Sequence, residues 1–300
     1  MRTVQRPARA DVDAAGRRIR PHLAPTPLVE SDGFALKLES LQPTGSFKVR
    51  GALAALTRLD NGERVVTASA GNHGLAVAWA AKRLGFDATI VVAETASPAK
   101  IAGIRRFPST LVVHGAGYDE AERHGLSLEG RYVSPYNDPD VIAGAGTVAL
   151  ELDEVDTIVV PVGGGGLVSG IALATEARVV GVVPAAFPAM RAALDAGRLV
   201  EIEGDETIAD GLHGNIEPGS VTFEIVRELV DDVVTVTEGQ IEDAMRFLAA
   251  EHGLVTEGAG AAAVAAARAG AGGGRTVAIV SGRNVTAGRF AALLERGAGR

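Results

Sequence analysis

Short β-branched runs alternate with alanine- and leucine-rich stretches of helical period along most of the chain, and a parallel sheet covered by helices on both faces satisfies that alternation. The runs "RVVTAS" (64–69), "DATIVVA" (87–93), "TIVVPV" (157–162), "RVVGVVP" (178–184) and "TVAIVSG" (276–282) read as buried strands. "GLAVAWAAKRLG" reads as a helix with Val77, Ala80, Ala81 and Leu84 on one stripe and Gly85 as its stop, and "LVSGIALATEA" as another. Thr237 and Gln240 have capping-box spacing ahead of the stripe Ile241, Ala244, Met245 and Leu248, and Gly253 ends that helix. "AGAGGG" (269–274) reads as a flexible connector. At 300 residues the chain exceeds the usual single domain. The expectation is an α/β protein of two lobes, each an open, mostly parallel twisted sheet with helices on both faces, one lobe inserted in the other and a cleft between them.

Composition narrows the partners. A net charge of -8 repels phosphate backbones and anionic lipid, which argues against nucleic acid and membrane surfaces and for a small-molecule ligand. The absence of cysteine excludes disulfides, thiolate metal sites and cysteine nucleophiles, and fits a reducing cytoplasm. The arginine-rich start contains Asp11 and Asp13 and lacks serine and an apolar core, so it reads as mature protein, not as a targeting segment. Residues 157–175 carry no charge and have the length of a membrane span, but Pro161 and the run Gly163 to Gly166 would break such a helix in its middle. A buried strand, a turn and a helix account for that stretch.

Three turns stand where a strand gives way to a helix or loop. "PVGGGGLVSG" (161–170) offers amide N–H groups and a helix N-terminus to a phosphate, although a glycine turn also serves close packing alone. It is no dinucleotide fingerprint, because the third required glycine falls on Val168 or Ser169 and the next strand ends in Val183 and Pro184 without an acid. "TASAGNHGLAVA" (67–78) places Ser69, Asn72 and His73 at a helix start suited to a carboxylate; taken singly, Ser69 and Asn72 read as caps and His73 as a partly buried imidazole. "VSGRN" (280–284) presents Ser281, again a capping residue when considered alone. All three share the carboxyl ends of strands, where open α/β sheets bind their ligands.

In "LQPTGSFKVRGA" (41–52), Lys48 differs from a solvated surface lysine in what precedes it. Gly45 and Ser46 give a backbone that a ligand can approach, and Phe47 an aromatic wall that would desolvate the amine and lower its pKa, as Schiff-base chemistry requires.

Taken together, "LQPTGSFKVRGA", "SAGNHG", "PVGGGGLVSG", "TIADGL" and "SGRN" resemble, in order and spacing over nearly the whole chain, the fold type II enzymes dependent on pyridoxal 5'-phosphate, in particular the serine/threonine dehydratases. The resemblance implies a fold like that of the tryptophan synthase beta subunit. Residues 1–60 and 142–300 would form the large cofactor-binding lobe, and 61–141 a smaller inserted lobe closing over the cleft. It implies that Lys48 carries the cofactor and removes the α-proton, and that Phe47 and Asn72 flank the ring. Gly163, Gly164, Gly165, Gly166 and Leu167 would hold the phosphate, and Ser281 would meet the pyridine nitrogen. Ser69, Ala70, Gly71, Asn72 and His73 would grip the substrate carboxylate. A neutral serine at the pyridine nitrogen makes the ring a weaker electron sink than a carboxylate would, which suits elimination of water from L-threonine or L-serine to a 2-oxo acid and ammonia.

The same resemblance separates this chain from neighbouring activities. Sulfur-adding and threonine-forming synthases of this fold commonly have aspartate after the lysine, where this chain has Val49, Arg50, Gly51 and Ala52. Eukaryotic serine racemases use a serine where this chain has Ala70, so racemisation is expected to be weak or absent. A 3-hydroxyaspartate dehydratase also fits the motifs, as does a non-catalytic module that binds the cofactor or a phosphate. The positions at which relatives bind a divalent metal are Val183 and Ala189 here, so no metal is expected there, and Asp210 and Glu257 are read as structural or supporting. Arg283 stands where the family usually has glycine, which puts the local shape in question. The chain ends at Arg300, so no regulatory domain or feedback by isoleucine is expected, and a homodimer is.

Overall fold

The computed structural model describes residues 4–297, which form two sheets flanked by helices. The ten strands are β1 (Leu28–Glu30), β2 (Ala35–Lys37), β3 (Arg64–Ala68), β4 (Asp87–Val92), β5 (Thr110–Val113), β6 (Arg131–Tyr132), β7 (Thr157–Pro161), β8 (Arg178–Pro184), β9 (Asp232–Val236) and β10 (Thr276–Ile279). One sheet has the order β1-β2-β10-β7-β8-β9, parallel except for the β1–β2 pair. The other, wholly parallel, has the order β5-β4-β3-β6. The alternation read from the sequence is thus an α/β architecture with helices on both faces. β7 and β8 are buried almost throughout, which is why they read as continuous apolar runs and not as alternating ones.

Strand order locates the clefts. In the larger sheet β8 and β9 extend to one side of β7 while β10 lies on its other side, so the connections diverge between β7 and β10. In the smaller sheet β4 and β5 lie to one side of β3 and β6 to the other. Diverging connections leave a crevice at the carboxyl ends of the strands. The tetraglycine turn follows β7, Ser281 follows β10, and the 69–73 loop follows β3, so all three predicted turns open onto these crevices.

Two local expectations change. β10 ends at Ile279; Val280 N–H still donates to the Lys37 carbonyl and its carbonyl accepts from Ser40 N–H, and from Ser281 on the chain lies along residues 44–47: Ser46 pairs with Gly282, Phe47 N–H donates to the Ser281 carbonyl (3.1 Å), and Arg283 N–H to that of Gly45 (2.9 Å). Residues 269–274 are a bonded turn and not a flexible connector. Gly270 and Gly274 adopt φ of +90° and +61°, and Arg275 N–H closes the turn on the Asp156 carboxylate at 2.6 Å. The capping box of Thr237 and Gln240 is present, and Gly85 and Gly253 end their helices in the left-handed conformation, as their spacing predicts.

Candidate active site

Lys48 is the first residue of the helix Lys48–Leu56, and its approach is set by the pairing of residues 44–47 with 281–284. Gly45 takes φ +76° in that approach, a conformation that favours glycine. The Lys48 side chain is partly buried; its Nζ donates to the Pro135 carbonyl at 2.7 Å and lies 5.1 Å from the centroid of the Phe47 ring. Burial lowers its pKa to about 8, against the opposing pull of the Glu257 charge. A substantial fraction of the amine is therefore neutral, and nucleophilic, near physiological pH.

Pro135 joins this amine to the glycine turn. The next residue, Tyr136, lays its ring against Gly164, where a Cβ would enter the ring's van der Waals envelope, and its backbone lies against Gly166. The Tyr136 hydroxyl accepts from Glu217 N–H at 2.9 Å, and Thr222 Oγ1 donates to the Gly164 carbonyl at 2.7 Å. Gly165 adopts φ +87°, and a Cβ on it would stand 2.9 Å from Thr222 Cβ. Thus the turn is crowded from behind, which requires glycine. The amides of Gly163, Gly164 and Gly165 donate to no partner among the described residues, and the helix Gly166–Ala174 adds the unpaired N–H groups of its first turn. The result is a set of N–H donors at a positive helix end, suited to a phosphate.

Asn72 opens the helix Asn72–Leu84 after β3. Its Nδ2 donates to Glu257 Oε1 and its Oδ1 accepts from Asn284 Nδ2, both at 2.6 Å, while Asn284 Nδ2 also donates to the Thr44 carbonyl at 2.8 Å. Asn72 is therefore tied to both the Lys48 approach and the loop after β10. Ser69 Oγ accepts from Gly71 N–H at 3.2 Å, so Ser69 and Gly71 brace one another. Ala70 follows Ser69 with no polar side chain. The buried His73 donates from Nε2 to the Val133 carbonyl at 3.0 Å; burial first and then the Lys48 charge depress its pKa to about 3, so it is neutral. Ser281 is buried beyond β10, with its hydroxyl donating to the Ala259 carbonyl at 3.3 Å and its lone pairs free for a second bond. Leu167 is buried in the first turn of the glycine helix.

Of the two residues read as supporting, Glu257 joins this network and Asp210 lies at its edge. Glu257 is only 7% exposed and receives Asn72; burial raises its pKa to about 7, the Asn72 hydrogen bond and nearby Lys100 opposing and Asp210 adding to the rise. Asp210 pairs with Lys100 of the helix Pro98–Ile104 at 2.8 Å, a half-exposed contact. Among the described residues no three His, Asp or Glu side chains are grouped to hold a metal ion, and Val183 and Ala189 are buried and apolar. The arginine at 283 fits without backbone strain: it is exposed, lies outside the left-handed region and keeps the N–H bond to Gly45. Pro135, Tyr136, Thr222 and Asn284 carried no role in the sequence reading. β6 has only two residues, too short for a periodic signal, yet its loop supplies Pro135 and Tyr136 at the crevice of the smaller sheet.

Glu257 makes stability depend on pH in a defined direction. Its folded pKa lies above the unfolded carboxylate's, so the folded state binds the extra proton between about 4.5 and 7, and stability falls as pH rises across that window. Glu257→Gln keeps an acceptor for Asn72 and removes the ionisation. It is expected to flatten this part of the profile and to stabilise the protein at pH 8 by roughly 1–3 kcal/mol, measured by denaturant titration at pH 5 and 8. An unchanged pH profile in the variant would refute the assignment.

The family profile described as "Pyridoxal-phosphate dependent enzyme" matches residues 19–282. The L-threonine ammonia-lyase of Thermotoga maritima is 41% identical over 280 residues, covering 87% of this chain and 70% of that protein. The catabolic L-threonine dehydratase TdcB of Escherichia coli is 37% identical, covering 94% of each. Among solved structures, maize serine racemase superposes with a TM-score of 0.90 at 30% identity, over 98% of this chain and 99% of its own.

Proposed function

The chain belongs to the pyridoxal-phosphate dependent enzymes, and we propose that it removes water from L-threonine and L-serine, giving a 2-oxo acid and ammonia. The observation that carries the reading is the coupling of a half-buried amine of depressed pKa, Lys48, to a crowded tetraglycine turn through the dipeptide Pro135–Tyr136.

The residues fit the cofactor. The free amides of Gly163 to Gly165, with Gly166 and Leu167 at the helix start, would hold its phosphate. Phe47 and Asn72 would flank the ring, and the Ser281 hydroxyl would meet the pyridine nitrogen as a neutral partner. Bound pyridoxal phosphate supplies an aldehyde that joins an amine and a ring that withdraws electrons from the substrate α-carbon. The loop Ser69, Ala70, Gly71, Asn72 and His73 would grip the substrate carboxylate and orient the α-C–H bond toward Lys48; Ser69 N–H is held by the Val91 carbonyl and Gly71 N–H by Ser69 Oγ, which leaves the N–H groups of Ala70, Asn72 and His73 to donate. Lys48 Nζ, free once the substrate's own amine has replaced it, would accept the α-proton and return a proton to the departing β-hydroxyl, which leaves as water. The freed enamine takes up water and yields the 2-oxo acid and ammonia. Residues 1–60 and 142–300 act as the cofactor lobe and 61–141 as the lobe that closes over it, in a homodimer of the cytoplasm. No helix among the described residues is long and apolar enough to cross a membrane.

A racemase needs a proton carrier on the substrate face opposite the lysine. Ala70 has no such group, and the neutral His73 is committed to the Val133 carbonyl. Elimination is therefore favoured over racemisation despite the similarity to maize serine racemase.

The test is release of 2-oxo acid from L-threonine, L-serine and 3-hydroxyaspartate by protein loaded with pyridoxal phosphate, with D-serine measured alongside. Release from threonine and serine with little D-serine is expected; release from none of the three would sink the proposal, and a protein that stays colourless with the cofactor would point to a non-catalytic module. A second expectation concerns pH. Capture of pyridoxal phosphate by the apoprotein needs the neutral amine, so its rate should rise through pH 8 and level off above it, as followed by visible absorbance. A rate that is flat from pH 6 to 10 would contradict the depressed lysine.

A further inference from the structure

Two residues beyond Lys48, Arg50 lies fully inside the protein at 2% exposure, facing Glu39 at 0%. Arg50 Nε donates to Glu39 Oε2 and Nη2 to Oε1, both at 2.7 Å, a bidentate fork. Its Nη1 donates to Glu151 Oε1 at 2.7 Å and to Thr147 Oγ1 at 3.1 Å. Glu151 also pairs with buried Lys37 at 2.6 Å, and Thr26 and Gln42 fill remaining positions on Glu39 at 2.6 and 3.3 Å. Two cations and two anions thus form a neutral, hydrogen-bonded, buried cluster that includes the first turn of the Lys48 helix. Burial lowers the Arg50 pKa, but Glu39 and Glu151 more than offset it and hold the group above its ordinary value, so the fork stays charged.

We infer that the Glu39–Arg50 pair is a positioning device for Lys48, a clasp that closes the segment 39–50 at its base and fixes the residue that bears the amine. The inference rests on Lys48 as the residue that carries the cofactor. Glu39 begins the short 3-10 turn Glu39–Leu41, and Arg50 lies in the first turn of the helix that Lys48 opens, so the fork joins the two ends of the loop that holds Gly45, Ser46 and Phe47. The Ser46–Gly282 pairing anchors the middle of that loop, and the clasp its ends. A buried ion pair is weak evidence for stability, because apolar replacements of equal shape often serve as well. What the fork supplies is direction: a planar guanidinium on a carboxylate fixes distance and angle together, and an ammonium does not.

Arg50→Lys therefore keeps the charge and loses the fork. The holoenzyme is expected to lose about 10- to 100-fold in kcat, the cost of a misplaced reacting group, with KM for L-threonine within about threefold. Capture of pyridoxal phosphate by the apo variant should slow in proportion. Glu39→Gln, a second variant should the first not fold, is expected to move both quantities in the same direction. Lys37→Met cuts the other arm of the cluster and is expected to lower the Tm comparably while leaving kcat and capture rate per folded molecule unchanged. The clasp is overturned if Arg50→Lys or Glu39→Gln, once folded, keeps both quantities within twofold of wild type, or if Lys37→Met loses as much as they do, since the loss would then follow stability alone. Activity retained by Lys48→Ala would overturn the lysine's role itself, and the clasp with it.

Discussion

Lys48→Ala is expected to give a folded protein whose kcat for L-threonine is lower by at least about 10⁴-fold, with the visible absorbance of the joined cofactor gone. The loss is large because, in the proposed mechanism, one atom, Nζ, would both carry the cofactor and move the α-proton, with no neighbour to substitute for it. His73 is held neutral with its Nε2 committed to Val133, and Glu257 accepts from Asn72. The same substitution should not weaken the fold. Burial depresses the lysine pKa from 10.5 to about 8, so below pH 8 the folded state holds a charged amine at a cost that the unfolded chain does not bear. That cost is relieved only as pH rises from about 8 toward 10.5, and alanine removes it at pH 7. The apo variant is therefore expected to melt at least as high as the wild-type apoprotein in calorimetry at pH 7. A lower Tm would show that Nζ anchors Pro135 more strongly than its burial opposes folding; residual activity within 100-fold of wild type would refute its catalytic role.

Gly164→Ala has the second largest expected effect. The added methyl would enter the space of the Tyr136 ring. The ring has little freedom to move aside, because Glu217 N–H binds its hydroxyl and the Gly164 carbonyl is itself held by Thr222. Overpacking of this kind costs roughly 1–3 kcal/mol of stability. The displaced turn also redirects the amides that would bind phosphate, so the Kd for pyridoxal phosphate is expected to rise about 10- to 100-fold, or about 1.4–2.8 kcal/mol. Gly239→Ala serves as the control. Nothing lies within 4 Å of its Cβ position in the helix Glu238–His252, and alanine there should stabilise by up to about 1 kcal/mol. Should Gly164→Ala bind the cofactor as tightly as wild type, the turn is not the phosphate site.

The tetraglycine turn and the 69–73 loop were legible in the chain because each joins a glycine or a helix start to the end of a strand, and Lys48 because Gly45, Ser46 and Phe47 precede it at a helix start. Glu257 was read as supporting without its partner, since a glutamate 185 positions from Asn72 carries no local mark of its contact with it. The Pro135–Tyr136 bridge was missed for a different reason: "SPYNDP" has the composition of a surface loop, and the two-residue β6 that places it at the crevice is too short to show a period. The expected strand end at 281–282 was lost to pairing with residues 46–47, a competition between partners distant in sequence.

Periodicity, caps and turn glycines depend on neighbours within a few residues, so the α/β class, the helix ends at Gly85 and Gly253, and the segments proposed to carry the site were determined by the sequence alone. Which strands lie side by side depends on contacts between residues far apart in the chain. The order β2-β10-β7 brings Ser281 beside the glycine turn, and the order β4-β3-β6 brings Pro135 beside Asn72's helix. Only that packing buries the Lys48 amine, lowers its pKa, and closes Glu39 onto Arg50, because desolvation and a bidentate fork both require groups that the chain alone does not bring together.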